Sequence, residues 1–454
     1  MSACNEEFKA FLNDHVNLNQ TRWDNLLSRV STLNDFVNDD PAIGEHVVDD
    51  VIPQGSYARR TIIRPVSDKD YDADVLVPMD EVEGWEPEDY VPSLHRALDG
   101  SARYTGKSSM KKRCVRVQYA DDFHVDLVPF VERAGGKYIT HRTENRWIMQ
   151  DPTALTEWFE GQNRASNYHL VKVVRLVKYL REHSSAEIPS VVLTALLASQ
   201  VNPYGDSTYN SVASTLNSLL SALDTYLAPL ASPPVVDDRS GYGENLADRW
   251  SRTDFDAFKS RLRTWAGKAQ TAYAATYEDS NEKWRALFGA DFGTASTQSL
   301  KEAGARGESG MRTDLAANEK TLLDLGIIER LDPRYRIKMV GRMASRKMIR
   351  FRPLPSTGDL VPVGRSLMFK VEDCNVPGAT YYWKVRNFGP EAQRRRMERG
   401  EIRERGMQIT ESADFAGPHW VQVWAVKDGV ALATSRQEVT IVSRASDHSR
   451  NDQF

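Results

Sequence analysis

Two short stretches, in which acidic residues alternate with aliphatic ones, constrain this chain most. In residues 72–77 (DADVLV), Asp72 and Asp74 alternate with small and aliphatic side chains. Residues 123–130 (FHVDLVPF) repeat the pattern around Asp126. Because successive side chains of a β-strand point to opposite faces, each stretch predicts a strand with one buried face and one acidic face.

The paired carboxylates point to a cation. Two carboxylates two residues apart on a strand lie about 6–7 Å apart and repel each other unless a cation lies between them. Mg²⁺ suits oxygen ligands of this kind. A solvated acidic edge is the alternative, since Asp68 and Asp70 come just before the pair, and the pair alone favours neither interpretation. Asp126 would supply a third carboxylate, and three of them on one face can hold two metal ions.

A Gly-Ser pair precedes the acidic strands. Gln54-Gly55-Ser56-Tyr57 comes just before a predicted helix or turn, where free backbone N–H groups and a hydroxyl can hold phosphate oxygens. Ordinary turns contain the same pair, so the motif alone is weak. The order of Gly-Ser, then Asp-x-Asp about 16 residues later, then a lone Asp on a later strand is far more specific.

These motifs resemble the CD-NTases, the cGAS/DncV-like members of the polymerase-β-like nucleotidyltransferase superfamily. The resemblance rests on GSYARRTIIRPVSDKDYDADVLV and FHVDLVPF, and on VVRLVKYLRE with IPSVVLTALL, which resemble the family's spine helix and the helix after it. It covers residues 5–292. The later run from RIKMVG through ATYYWKVRNFGPEA to RQEVTIV resembles the AGS-C sensor domain that is found fused to such enzymes.

The resemblance implies a role for each residue of the motifs, with two Mg²⁺ or Mn²⁺ ions per site. Asp126 would also activate the acceptor hydroxyl. The implied catalytic and metal-binding residues are Asp72, Asp74 and Asp126, and the implied nucleotide-binding residues are Gln54, Gly55, Ser56 and Lys178.

Helix spacing supports Lys178 independently. It follows Val174 by four residues and Val171 by seven, which places it on the apolar flank of its helix. A lysine there either reaches out to solvent or binds an anion in a cleft. The other cations of the helix are expected on a solvated face, and Arg59 and Arg60 either contact phosphate or form surface salt bridges. The other cations of the helix are Lys172, Arg175 and Arg181.

The predicted fold is α+β. It has a polymerase-β-like nucleotidyltransferase core with a helical subdomain, followed by a small β-sandwich-like C-terminal domain. The expected divisions are a core with an N-terminal helix (1–150), a helical subdomain closing the nucleotide cleft (151–292), a linker and connecting helix (293–334), a β-rich AGS-C-like sensor domain (335–445) and a flexible tail (446–454).

Composition excludes several other classes of protein. A net charge of −4, with no long basic tract, argues against a protein that coats duplex nucleic acid. No stretch approaches 18 apolar residues, and the acidic start lacks a signal sequence, so a cytoplasmic protein outside the membrane is expected. Cys4, Cys114 and Cys374 lie too far apart for a disulfide framework or a metal motif. The oligomeric state is left open.

The resemblance implies an enzyme that joins NTPs and releases pyrophosphate. Its product would be a cyclic or short oligonucleotide signal in bacterial anti-phage defence, sensed by a separate effector. A template-independent polymerase making linear products from NTPs or dNTPs has the same core, and the motifs do not distinguish ring closure from extension. A non-catalytic nucleotide- or phage-sensing protein is the remaining alternative, and the intact acidic triad counts against it.

Overall fold

The structure is a computed structural model that describes residues 4–66, 71–120, 123–202, 208–293, 319–332, 334–344, 351–354 and 360–442. The chain forms two compact units. One contains Met1–Asp24 and Pro53–Glu308, and the other contains Asn25–Ile52 and Ser309–Phe454. Of the linker and connecting helix expected at 293–334, residues 294–318 and 333 lie outside the described residues, and the finer domain boundaries stay predictions. No described helix has the length and apolar character needed to cross a membrane.

The first unit is organised around a seven-stranded sheet in the order β1-β2-β5-β4-β3, with β6 paired to β5 and β7 paired to β6. Strands β2 and β5 are parallel, whereas β4 and β5 are antiparallel. The strands are β1 (Ile52–Gln54), β2 (Tyr71–Met79), β3 (Ser108–Met110), β4 (Val115–Tyr119), β5 (Phe123–Arg133), β6 (Gly136–His141) and β7 (Arg146–Met149).

The strands predicted at 72–77 and 123–130 are confirmed within β2 and β5. Their aliphatic residues form the buried face, since Val75, Val125 and Leu127 are completely buried. The run 115–119 (VRVQY), followed by the short polar stretch 120–122 (ADD), predicts a further strand and a hairpin turn before 123–130. That strand is β4, and its antiparallel pairing with β5 confirms the hairpin, while residues 121 and 122 lie outside the described residues.

Helices cover the sheet and build a second core. They are α1 (Asn5–Phe11), α3 (Gly55–Ala58), α4 (Pro87–Gly100), α5 (Ala154–Ala165), α6 (Leu170–Glu182), α7 (Ser190–Ser199), α8 (Val212–Leu227), α9 (Arg252–Ala274) and α10 (Tyr277–Phe288). Helix α2 (Gln20–Asp39) belongs mostly to the second unit, which takes the chain from Asn25 to Ile52. The spine helix α6 contributes nine buried residues to the first unit. Helices α5 to α10 all lie within residues 151–292, where a helical subdomain was expected.

Apolar residues at three- and four-residue spacing predict a helix over residues 5–33, and this prediction is wrong in one respect. After α1 the chain forms a short π-helix, Leu12–Val16, and then becomes extended at Asn17. The break has a tertiary cause. Asn17 pairs with Ile63 as an isolated β-bridge, and the Arg64 N–H donates to the Val16 carbonyl at 2.8 Å. These contacts compete with the helical hydrogen bonds that the local sequence favours.

The second unit is a two-sheet sandwich. One sheet has the order β10-β9-β12-β15, and the other has the order β11-β17-β16-β13-β14 with β8 paired to β17. Its elements are β8 (Ile328–Glu329), β9 (Ile337–Ala344), β10 (Phe351–Pro353), β11 (Leu360–Pro362), β12 (Ser366–Cys374), β13 (Thr380–Asn387), α11 (Pro390–Arg395), β14 (Arg399–Arg405), β15 (Gln408–Ser412), β16 (Gly417–Lys427) and β17 (Val430–Val442).

The sandwich follows from alternation along its strands. Phe369 of β12 and Val423 of β16 come from different sheets and pack in one buried cluster. This arrangement confirms the β-sandwich-like C-terminal domain.

Residues 25–52 join the second unit through buried ion pairs. Arg352 donates to Asp49 at 2.9 Å, and Arg365 pairs with Asp50. Asp50 also accepts a hydrogen bond from Asn34 of α2 at 3.0 Å. Because unpaired buried charges are costly, these pairs specify where the segment docks.

An aromatic cluster in the first unit generates a stability prediction. Phe8 is completely buried, with its ring centroid 5.0 Å from those of Trp284 and Phe292. Phe8→Ala should lower the free energy of unfolding of this unit by about 3–5 kcal/mol, because it removes ring contacts and leaves a cavity. Urea denaturation measures the change. Tyr226→Ala, at a position 43% exposed, is the control and should change stability by no more than about 0.5 kcal/mol. Equal losses in the two variants would contradict the prediction.

Candidate active site

The register of β2 and β5 brings the three predicted carboxylates together. Asp74 lies directly opposite Asp126, and Asp72 lies opposite His124. Side chains of paired residues share a face of the sheet, so all three carboxylates lie on one face. The convergence expected from the two sequence stretches is therefore present.

Gly55 packs against the centre of this cluster. It has a φ of +60°, which L side chains rarely adopt, and a Cβ atom at this position would overlap Asp74 Oδ2. Only glycine satisfies both conditions without strain. Gly55 is the first residue of the short helix α3, and the Gly-Ser turn thus lies directly against the acidic strand.

The carboxylates crowd each other electrostatically. Burial, together with the negative charges of Asp72 and Asp126, raises the pKa of Asp74 to about 7, while Arg59 and Arg116 act in the opposite direction. Repulsion by the two neighbouring carboxylates thus adds to the cost that burial imposes on the charged form of Asp74. A divalent cation would relieve this crowding, and the all-oxygen donor set suits Mg²⁺ or Mn²⁺. The residues present therefore fit the metal that the sequence implied.

Asp126 is paired with an arginine. Arg116 Nε donates to Asp126 Oδ1 and Arg116 Nη2 to Oδ2, both at 2.8 Å. The thiol of Cys114 lies nearby, and burial and the charge of Asp126 raise its pKa to about 12. Among the described residues, no three Asp, Glu, His or Cys side chains are already arranged to hold a metal ion. Both oxygens of the third carboxylate are instead engaged by Arg116.

A cavity of about 290 Å³ opens beside the cluster. Its walls come from the Gly-Ser turn, from β2 and from helices α6 and α7. The predicted site residues that line it are Gly55, Ser56, Asp72, Asp74 and Lys178. Gln54 and Asp126 are not part of the lining. Gln54 is buried at the end of β1, and its Nε2 has no hydrogen-bond partner in the described structure.

Lys178 is buried at the wall of this cavity. Its Nζ donates to the Thr61 carbonyl oxygen at 2.9 Å and lies 3.3 Å from Thr61 Oγ1. Burial lowers its pKa to about 7, and the neighbouring charges of Arg181 and Arg59 add to the effect. The lysine therefore faces the cavity, as the helix spacing allowed, and not solvent.

Arg59 is a second buried cation in the cavity wall. Its Nη1 donates to Thr156 Oγ1 at 3.2 Å, and its Nε has no partner among the described residues. Burial lowers its pKa to about 10, opposed by Asp74 and Glu160. With Lys178 and Arg181 it places three cationic side chains in this wall, of which Arg181 is paired with Glu182, itself part of the lining.

Two sequence profiles match the chain. Residues 1–163 match the Second Messenger Oligonucleotide or Dinucleotide Synthetase domain (SMODS). Residues 319–442 match the Adenylyl/Guanylyl and SMODS C-terminal sensor domain (AGS-C).

Curated relatives are similar over more than half of the chain. The c-di-GMP synthase of Roseivirga ehrenbergii is 24% identical over 277 residues, which cover 54% of this chain and 73% of the synthase. The cyclic AMP-AMP-AMP synthase of an Acinetobacter species is 24% identical over 274 residues, which cover 58% of this chain and 78% of that enzyme.

Solved structures share the fold of about two thirds of the chain. The CD-NTase CdnG of Bradyrhizobium diazoefficiens, in complex with GTP, superposes with a TM-score of 0.51 at 19% identity over 66% of this chain and 97% of its own. The DncV cyclic AMP-GMP synthase of Vibrio cholerae also gives 0.51, at 16% identity over 64% and 97%. The chain is a CD-NTase. It carries an AGS-C sensor domain and is a nucleotidyltransferase.

Arg175 and Arg181 were expected on a solvated face of α6, and for both residues that expectation is wrong. Arg175 of this CD-NTase donates to the Arg60 carbonyl at 2.6 Å and to Asn17 Oδ1 at 3.0 Å, whereas Arg181 lines the cavity. The reason is tertiary. The chain after the Gly-Ser turn runs along this flank of α6 and buries it.

Surface salt bridging by Arg59 and Arg60 is also wrong. Arg59 is buried in the cavity wall. Arg60 has a φ of +55° and makes two hydrogen bonds, of 3.0 and 2.8 Å, to the completely buried carboxylate of Glu160 in α5. The position of Arg59 and Arg60 just after the Gly-Ser pair was the only sequence feature that indicated a place near the cavity. Thr61 and Arg181 had no signal, because only the packing of α6 brings them to the cavity.

The close contact between Gly55 and Asp74 yields a prediction about activity. Gly55→Ala should lower kcat/KM for pyrophosphate release by about 100-fold, because the new methyl group displaces the Asp74 carboxylate. The control is Gly106→Ala in this CD-NTase. Gly106 has a similar φ of +70°, but no atom lies within 4 Å of the place that the new methyl group would take, so the backbone strain is matched and the overlap is absent. Similar activity in the two variants would show that the overlap has no consequence.

Proposed function

We propose that this CD-NTase joins NTPs into a cyclic oligonucleotide signal and releases pyrophosphate. The observation that carries the proposal is the cluster of Asp72, Asp74 and Asp126 on the edge of a cavity whose other wall is cationic. A nucleotide triphosphate needs both features, since its phosphates seek positive charge and its reacting atoms need metal ligands. The relatives named as cyclic nucleotide synthases support a cyclic product.

The acidic residues have the following proposed roles. Asp72 and Asp74 would hold the divalent cations, and Asp126 would join them and accept the proton of the attacking hydroxyl. Bound Mg²⁺ or Mn²⁺, two ions in the proposal, favours deprotonation of that hydroxyl and neutralises the pyrophosphate leaving group. Gly55 keeps the Gly-Ser turn close enough to Asp74 for both to contact one nucleotide.

The rest of the cavity would hold the triphosphate. The Ser56 hydroxyl and the backbone amides of the turn offer hydrogen bonds to phosphate oxygens. Arg59 supplies positive charge in a buried wall, where it is screened little by solvent. Lys178 would add a second charge once protonated, and Arg181, paired with Glu182, a third that is partly offset. Arg175 and Arg60 fix the backbone that carries these groups and are assigned no contact with nucleotide.

The matched second-messenger profile supports a signalling role for the product. The proposal includes its detection by a separate effector in bacterial anti-phage defence. Plating of phage on cells that express the complete system, with and without intact Asp72 and Asp74, tests this part.

The central prediction concerns the acidic pair. With Mg²⁺ or Mn²⁺ and mixtures of NTPs or dNTPs, the protein should form a compact product that resists phosphatase, identified by mass spectrometry. Asp72→Asn together with Asp74→Asn should abolish it, because the neutral amides bind divalent cations weakly. Asp80→Asn, at the exposed position just after β2, is the control and should leave the product unchanged.

Other outcomes of the same experiment separate the alternatives. A ladder of linear products would replace the cyclase with a template-independent polymerase, and the sugar in the ladder would identify its substrate. Absence of product, together with NTP binding that the double variant retains, would favour a sensing protein that does not use its acidic cluster.

The lowered pKa of Lys178 predicts proton uptake on nucleotide binding. The amine is largely neutral above its pKa of about 7, and a bound triphosphate favours the ammonium form. Binding at pH 8.5 should therefore take up a proton through Lys178, and this uptake should vanish below about pH 6, where the amine is already charged. Titration calorimetry in buffers of different ionisation enthalpy measures it. Lys178→Arg, always charged, is the control. Equal uptake by wild type and Lys178→Arg would exclude Lys178 as the group that is protonated.

A further inference from the structure

The third carboxylate of the cluster has a resident counter-ion. Arg116 lies directly opposite Asp126 in the β4/β5 register, so the backbone pairing holds the two side chains together. The guanidinium binds both carboxylate oxygens, at 2.8 Å each. The side chain of Asp126 is only 12% exposed, and that of Arg116 is 33% exposed. This is therefore a partly buried, bidentate pair and not a loose surface contact.

The charge of Arg116 also acts on Asp74, a carboxylate other than its partner Asp126. It lowers the pKa of Asp74, which Asp72 and Asp126 both raise. Arg116 thus offsets part of the repulsion among the three carboxylates. Arg116 cannot release this charge by deprotonation near neutral pH, because the hydrogen bonds to Asp126 raise a guanidinium pKa that is already very high. It can only be displaced or moved.

Arg116 opposes the binding of a divalent cation at the cluster in two ways. The cation competes with the guanidinium for the oxygens of Asp126, and it is repelled by a fixed positive charge close by. Both effects weaken metal binding in the absence of nucleotide. The phosphates of a bound NTP add negative charge, which shifts the balance toward the metal.

We propose that Arg116 is a built-in competitor of the divalent cation for Asp126, and that it keeps the cluster weakly metal-binding until a nucleotide is present. This inference rests on the proposed function, since it requires that the cluster bind metal. It assigns a regulatory role to a residue that takes no part in the chemistry itself. The same geometry explains why the three carboxylates are close together but, among the residues described, not arranged as a finished metal site.

Binding of Mn²⁺ to the full chain without nucleotide, measured by the electron paramagnetic resonance of free Mn²⁺, tests the proposal. Arg116→Met should bind Mn²⁺ about tenfold more tightly than the wild type, the size expected for loss of one charge-assisted pair. Arg133→Met is the matched control. Arg133 is on β5, is 31% exposed and pairs with Glu81 at 2.7 Å, but lies seven residues along the strand from Asp126. Its substitution should leave Mn²⁺ affinity unchanged.

Further variants make each outcome decisive. Arg116→Lys keeps the charge but loses the bidentate geometry, so its gain in affinity should be smaller than that of Arg116→Met, and it serves if the methionine variant does not fold. Unchanged or weaker Mn²⁺ binding in folded Arg116 variants would overturn the inference. The Asp72→Asn, Asp74→Asn double variant distinguishes a failure of this inference from a failure of the proposed metal site. If it loses Mn²⁺ binding while Arg116→Met equals wild type, only the inference fails. If it binds like wild type, the proposed metal site fails as well.

Discussion

The candidate active site of the first unit is dominated by the repulsion among three carboxylates held on one face of a sheet. The parallel pairing of β2 with β5 places Asp74 against Asp126, and hydrogen bonds along both strands prevent the two from moving apart. The surroundings offset part of this repulsion. Arg59 and Arg116 bring opposite charge, while burial first, and then the charges of Asp72 and Asp126, raise the pKa of Asp74. Negative charge concentrated in this way favours the binding of divalent cations, and these in turn favour the binding of phosphates.

The positive wall of the cavity is held from behind by helices α5 and α6. Lys178 is tethered to the Thr61 carbonyl, Arg175 to the Arg60 carbonyl, and Arg60 itself to the buried Glu160. These contacts fix the backbone just after the Gly-Ser turn. The turn is therefore supported on one side by a sheet and on the other by a buried helix, and such rigidity favours precise positioning of a substrate.

The C-terminal unit is larger than the domain that its profile matches. The AGS-C match spans residues 319–442, whereas the compact unit also includes residues 25–52. The buried pairs of Arg352 with Asp49 and of Arg365 with Asp50 account for the difference. Experiments on the sensor domain should therefore include this N-proximal segment, because its removal would leave two arginines of the sandwich without these carboxylates.

Local patterns in the sequence determined the strands, the helices, the acidic positions and the Gly-Ser turn, because alternation and helical spacing depend only on neighbouring residues. They also placed Lys178 on an apolar flank. Tertiary structure alone decided that Arg116 binds Asp126, that Arg59 and Arg181 line the cavity, and that a pairing with Ile63 breaks the first helix at Asn17. An arginine side chain is long and can reach several partners, so its sequence neighbours do not specify which one it meets. That choice is made by the packing of segments far apart in the chain.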